Sequence, residues 1–88
     1  MAANSSGAKA REKRSWSIAG HRTSIALEPE FWEALESLAQ SRGTSLSVLV
    51  ESTDKSRHDR LPLAAMLRLA ALRHYKERLA QVAPASVT

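Results

Sequence analysis

The chain lacks cysteine, is poor in aromatic residues and contains no long apolar run. Without cysteine it can have no disulfide framework, thiolate zinc site or cysteine nucleophile, and this absence is typical of a reducing compartment. Its longest uncharged run, residues 79–88, has ten residues, whereas a helix needs about 20 mainly apolar residues to span a bilayer. We therefore expect a cytoplasmic protein without a membrane span or a secretory signal.

Signatures of catalysis and of metal binding are also missing. The sequence has no glycine-rich phosphate loop, no G-x-S-x-G turn and no H-E-x-x-H pair. His21, His58 and His74 lie on three different predicted elements without ligand spacing; we expect His74 to line a helix interface and His58 to face water. Glu30 and Glu33 fall in a first helical turn, where the positive end of the helix dipole stabilises carboxylates. We expect no enzyme activity, cofactor or metal.

Basic residues are concentrated at the start of the chain. The net charge is +4, and residues 1–22 carry all of it, with five basic side chains against Glu12. A basic front end is typical of a protein that meets a polyanion, although a solubilising tail is the alternative. Residues 1–14 have no apolar period, so we expect a disordered basic arm there and a disordered tail at 83–88. The domain between them is expected at residues 15–82.

A strand is predicted over residues 21–27, because two kinds of side chain alternate there. One face carries Thr23, Ile25 and Leu27, and the other carries Arg22, Ser24 and Ala26. Upstream, Trp16 and Ile18 fall on the other parity, and the break lies at Ala19-Gly20. Residues 16–20 therefore either extend the strand through a bulge or fold back on it.

Three helices follow in the predicted order. Pro29 suits a first helical turn and Gly43 a helix end, which gives a helix over 29–42. Ser45 can cap a second helix over 45–57, and Pro62 opens a third over 62–82. The third helix is apolar on two sides, so it needs cover on more than one side. The predicted fold class is mainly α with one β-strand.

A lone strand leaves its edge groups unpaired, and only 88 residues and four aromatic side chains are present to build a core. The simplest partner is the same strand of a second copy, in a two-stranded antiparallel ribbon across a two-fold axis. We therefore expect an intertwined homodimer, to which the third helix adds contacts. Its predicted core consists of Ile25, Leu27, Phe31, Leu35, Leu38, Val48 and Leu49.

Such a ribbon fits the major groove of DNA. Its outward residues, Arg22, Ser24 and Ala26, would contact bases with help from His21; arginine prefers guanine, and alanine at most touches a thymine methyl group. Phosphates would be contacted by Lys13 and Arg14 and, at the start of the second helix, by Thr44, Ser45 and Ser47. An ordinary solvated sheet face and a plain serine cap are the alternative interpretations.

Two segments resemble the ribbon-helix-helix family of bacterial DNA-binding proteins: H-R-T-S-I-A-L-E-P-E-F-W-E-A-L at 21–35 and R-G-T-S-L-S-V-L-V at 42–50. The chain is similar in particular to a proteobacterial branch with an L-E-P-E-F-W helix start, and the resemblance covers residues 14–80. It implies outward strand positions at Arg22, Ser24 and Ala26 and a phosphate-clamping helix start at 45–47. The family's second helix is usually continuous, whereas Pro62 interrupts the chain here.

The resemblance implies a homodimeric transcriptional regulator, a repressor or autoregulator. One alternative is an antitoxin-like or other protein-interaction module that uses residues 61–82, with DNA binding secondary. Another is an RNA-binding or nucleoid-coating protein with little sequence preference.

Overall fold

The computed structural model describes residues 10–56 and 61–82, which form a β-hairpin followed by three helices. The strands are β1 (Glu12–Ile18) and β2 (His21–Leu27), and the helices are α1 (Pro29–Ser41), α2 (Leu46–Ser56) and α3 (Leu63–Val82). The predicted arm before residue 10, the polar stretch at 57–60 with His58, and the tail after residue 82 lie outside the described residues.

β1 and β2 pair as an antiparallel hairpin, with Ser15 opposite Ser24. The two loop residues, Ala19 (φ 52°) and Gly20 (φ 81°), both have left-handed backbones, as a type I′ turn requires. Of the two arrangements left open for residues 16–20, the chain adopts the one that folds back. The prediction of one strand, paired only through a second copy, is wrong, because β2 already has a partner in its own chain.

The prediction that the chain is disordered up to residue 14 is also wrong for residues 12–14, since β1 begins at Glu12. Alternation extends into this segment, with Arg14 and Trp16 half-buried, Ile18 buried and the residues between them exposed. Pairing with β2 therefore orders residues whose basic, polar composition indicated disorder.

Helix α1 begins at the predicted residue and ends at Ser41, one residue before the predicted end. Pro29 occupies its first turn. At the other end, the amide of Gly43 (φ 68°) donates to the Gln40 carbonyl at 3.0 Å, and that of Thr44 to the Ala39 carbonyl at 2.9 Å. These two bonds form a Schellman motif, which needs a left-handed residue and so favours glycine at 43.

Helix α2 is capped by Ser45, whose Oγ accepts a hydrogen bond from the Val48 amide at 3.1 Å. The predicted cap is confirmed. Leu49 and Val50 are the buried residues of α2, while Val48, predicted for a core shared by two copies, is 50% exposed in the single chain.

The core lies between the inner face of the hairpin and the three helices. Five residues of the predicted dimer core are buried within the single chain: Ile25, Leu27, Leu35, Leu38 and Leu49. Phe31 is half-buried against them. Trp32, which is absent from the predicted dimer core, is only 1% exposed. Its indole Nε1 donates to the Glu12 carbonyl at 2.8 Å, so β1 covers it.

Helix α3 packs on the core with one face, formed by Leu63, Leu67, Ala71 and His74. His74 is buried, and its Nε2 lies 3.1 Å from Ser37 Oγ of α1, which confirms the predicted place of this histidine at a helix interface. The other apolar side of α3 is exposed. We call it the apolar stripe, and it consists of Leu72, Tyr75, Leu79 and Val82.

Candidate nucleic-acid interface

The outward face of the hairpin is small, polar and basic. Side chains alternate along both strands, and the register places the outward residues of β1 directly beside those of β2. All of them are exposed except Ala26, which is half-buried. We call the two rows the β1 row and the β2 row. The β1 row is Lys13, Ser15 and Ser17, and the β2 row, in facing order, is Ala26, Ser24 and Arg22.

The β2 row contains the three residues predicted to contact bases, and the structure brings them together on the exposed face. Ser24 Oγ lies 3.0 Å from Ser15 Oγ, so a hydrogen bond joins the two rows at their centre. His21 is exposed at the loop end of β2 but belongs to the other parity, opposite Ile18. It therefore lies beside the outward face and not within it.

The two basic residues predicted to contact phosphate point to opposite faces. Lys13 is outward and exposed, whereas Arg14 is on the inner parity. The Arg14 guanidinium donates to Glu12 Oε2 at 2.7 Å and to Glu36 Oε2 at 3.0 Å, and it stacks 4.9 Å from the Trp32 ring. Partial burial of the guanidinium lowers the pKa of Arg14, but the hydrogen bonds to both carboxylates together outweigh this effect, so that the pKa is raised. Arg14 thus fastens β1 to α1.

Glu28 holds two further basic side chains near the hairpin, Arg68 and Arg11. Glu28 accepts from Arg68 at 3.3 Å and has Arg11 at 4.0 Å. Its pKa is lowered by a hydrogen bond from its own backbone amide and by Arg68 and Arg11. In contrast, neither Lys13 nor Arg22 forms an ion pair with any residue that the structure describes. Their charges are available to an external anion.

The start of α2 offers a second set of donors. Ser45 and Ser47 are exposed and Thr44 is half-buried. Since the Ser45 oxygen accepts from the Val48 amide, its hydroxyl hydrogen can still be donated, and the first amides of α2 point in the same direction as the positive end of its dipole. This group of residues, predicted from the sequence, has the chemistry of a phosphate contact.

Sequence reasoning missed Ser15 and Ser17 as outward residues. The signal was present, because Ser15, Trp16, Ser17 and Ile18 alternate polar and apolar side chains up to the two-residue break at 19–20. A hairpin there would have placed both serines on the face of Ser24 and Arg22.

The described residues contain no group of three or more histidine and acidic side chains that could hold a metal ion. None of the described helices combines the length and the apolar character needed to cross a membrane.

Comparison with known proteins matches residues 11–75 to the family model of the ribbon-helix-helix domain, which covers more than half of the chain. Proteins with this domain typically dimerise and bind DNA as transcription regulators, and the domain is generally not enzymatic. No curated protein and no solved structure matches the chain. The matched segment contains both strands, α1, α2 and most of α3, and on this evidence the chain belongs to the ribbon-helix-helix domain family.

Proposed function

We propose that the protein is a homodimeric, sequence-specific transcriptional regulator, a repressor or autoregulator, that places its β-sheet in the major groove of DNA. The observation that carries the proposal is the exposed outward face of the hairpin. That face presents Lys13 and Arg22 without carboxylate partners among the described residues and three serine hydroxyls between them. Cations and hydroxyls on a surface of strand dimensions match the phosphates and base edges of the groove.

Dimerisation is supported by the second edge of β2. In a two-residue type I′ hairpin the residues next to the loop, Ile18 and His21, exchange both backbone hydrogen bonds. Along β2, the odd residues therefore bond to β1, and the backbone groups of Arg22, Ser24 and Ala26 point to the opposite edge. An unpaired edge is a template for another strand. We propose that it pairs with β2 of a second copy, which gives a four-stranded sheet in the order β1, β2, β2, β1.

Proline at a single position tests this pairing. Ser24→Pro removes an amide from the free edge of β2 while keeping the bonds between β1 and β2, so it should convert the dimer into a monomer. Ser15→Pro is the matched control, because its amide points to the outer edge of β1. The measurement is the mass in solution by sedimentation, with circular dichroism as the check on folding. If both variants form dimers of equal stability, the free edge of β2 is not where the two copies pair.

DNA binding is tested with a duplex of about 30 base pairs, roughly three helical turns, that the wild-type protein selects from a random library, and with a shuffled duplex. The logarithm of the binding constant should fall linearly and steeply with the logarithm of the salt concentration. Binding that lacks this dependence would exclude the proposal. Binding that grows with duplex length without sequence preference would support a nucleoid-coating protein instead.

Arg22 is the residue proposed to give sequence preference. Arg22→Ala should weaken binding to the selected duplex by about 1 to 3 kcal/mol and relax the preference at one base pair of each half-site. Arg73→Ala, on an exposed position of α3, is the matched control and should leave both unchanged. Equal losses on the selected and the shuffled duplex would make Arg22 a backbone contact.

A second candidate function is supported by the apolar stripe on α3. Its four side chains are between 47% and 81% exposed, and an apolar groove of about 190 Å³ lies beside it, between α1 and α3. A contiguous exposed apolar surface favours a protein contact. Two occupants are proposed: the third helix of the second copy, or an antitoxin-like contact with another protein.

The double variant Leu72→Glu/Leu79→Glu separates these two occupants. If α3 lies in the dimer interface, the charges will dissociate the dimer in sedimentation. If the dimer and its DNA affinity persist, the third helix of the second copy is excluded as the occupant, which favours a contact with another protein.

A further inference from the structure

The hairpin adds a row of polar side chains that a ribbon with one strand per chain would not have. In the proposed dimer each copy contributes a β1 row as well as a β2 row, and the two β1 rows form the outer strands of the sheet. The following inference rests on the proposed function and asks what those outer strands contact.

The width of the sheet decides where the β1 row lies. Neighbouring strands are about 4.8 Å apart, so the outer strands of a four-stranded sheet lie about 7 Å from the two-fold axis. The major groove is about 12 Å wide, and its walls are therefore about 6 Å from its centre. With β2 and its symmetry mate at the centre, β1 lies over the walls, where the sugar-phosphate backbones are.

The side chains of the β1 row suit this position. Lys13 and Ser17 are exposed, and neither forms an ion pair or a side-chain hydrogen bond with any residue in the described part of the chain. Ser15 is exposed and shares a hydrogen bond with Ser24, so its hydroxyl stands between the two rows. An ammonium group and small hydroxyls are common phosphate donors.

The inner face keeps this row in place. Trp32 holds the carbonyl of Glu12 at 2.8 Å, and Arg14 is bonded to Glu36 of α1 at 3.0 Å. Both contacts lie next to Lys13 in the chain, so the start of β1 is fixed on the core and not free as an arm. A lysine on a fixed strand contacts a phosphate at a defined position, whereas a lysine on a disordered arm does not.

We infer that the β1 row, Lys13, Ser15 and Ser17, is a phosphate clamp that holds both walls of the major groove while the β2 row contacts the bases. The clamp contributes affinity and register on the duplex and no sequence preference. The number of phosphates that each dimer contacts through the sheet is therefore larger than a two-stranded ribbon would allow.

The experiment measures the salt dependence of binding for Lys13→Ala and Ser17→Ala on the selected and the shuffled duplex. Each dimer has two copies of Lys13, so Lys13→Ala should make the log-log slope less negative by about 1.8, or 0.9 per lysine. Ser17→Ala removes two uncharged donors; it should lower affinity by roughly tenfold on both duplexes and leave the slope unchanged. Lys76→Ala on α3 and Ser56→Ala on α2 are the matched controls.

Three results would overturn the inference. A loss confined to the selected duplex would mean that the β1 row contacts bases, as it would if a single hairpin entered the groove alone. Unchanged binding by both variants, with normal salt-dependent binding by the wild type, would refute the clamp and leave the proposed function intact. Absence of binding by the wild type would overturn the clamp and the proposed function together.

Discussion

The two tryptophans under the hairpin carry the sharpest prediction about stability. Trp32 is 1% exposed, and its Nε1 donates to the Glu12 carbonyl at 2.8 Å. The ring of Trp16 lies 6.2 Å away, but its Nε1 is buried without a hydrogen-bond partner among the residues that the structure describes. The same substitution at the two positions should therefore have different effects.

Trp32→Phe should lower the free energy of unfolding by about 2 to 2.5 kcal/mol. The loss of the indole donor removes a part-buried hydrogen bond to the Glu12 carbonyl, which costs about 1 to 1.5 kcal/mol. The phenyl ring buries roughly 40 Å² less apolar surface, which at about 25 cal/mol per Å² costs about 1 kcal/mol more. In a domain of this size the melting temperature should fall by about 10 to 20 °C.

Trp16→Phe should cost nothing or raise stability. It loses a similar ring area but removes a buried donor whose desolvation costs about 1 to 3 kcal/mol. Urea unfolding followed by the fluorescence of the remaining tryptophan measures both variants. The protein concentration must be equal in each experiment, because the stability of a dimer depends on it. Equal losses in the two variants would refute the assignment of the Trp32 bond as the link between β1 and α1.

Two further predictions concern the loop and the pH dependence. Ala19 has a left-handed backbone (φ 52°), which alanine adopts at a cost and asparagine tolerates, so Ala19→Asn should stabilise the protein by about 0.5 to 1 kcal/mol; an unchanged or lower urea midpoint would contradict this. Because the pKa of Glu28 is lowered in the folded state, its charge stabilises the fold at pH values above the ordinary pKa of 4.5. This stabilisation is lost as the pH falls through the pKa of the folded state. Glu28→Gln should therefore be less stable than the wild type at pH 7, with the difference closing in acid; a constant difference down to about pH 3 would contradict it.

The elements that local chemistry determines could be predicted from the sequence. β2 has strict alternation, α1 has proline at its start and glycine beyond its end, and Ser45 caps α2, so their existence and approximate bounds followed from residues close in sequence. The outward position of Arg22 and Ser24 followed from the same alternation.

β1 was indicated only in part, by the alternation of residues 15–18, because its partner and its turn determine where it begins. The loop has alanine where hairpins of this type prefer asparagine or aspartate, so the local turn signal is weak. The burial of Trp32 depends on the same missing strand, since its cover is the backbone of Glu12. Amphipathicity likewise could not tell which of the two apolar sides of α3 faces the core, because both meet the helical period.

Not all of the residues that make the chain basic offer their charge to a polyanion. Five basic side chains in residues 1–22 produce the net charge of +4, but alternation turns Arg14 inward between two carboxylates, and Arg11 lies near Glu28. Among the described basic residues of that segment, Lys13 and Arg22 keep unpaired charges on the sheet face, one on each strand. Because β1 and β2 come from the same chain, folding of the monomer places both cations on one surface. Pairing of two copies then repeats that surface across a two-fold axis, which is the symmetry of the DNA backbone itself.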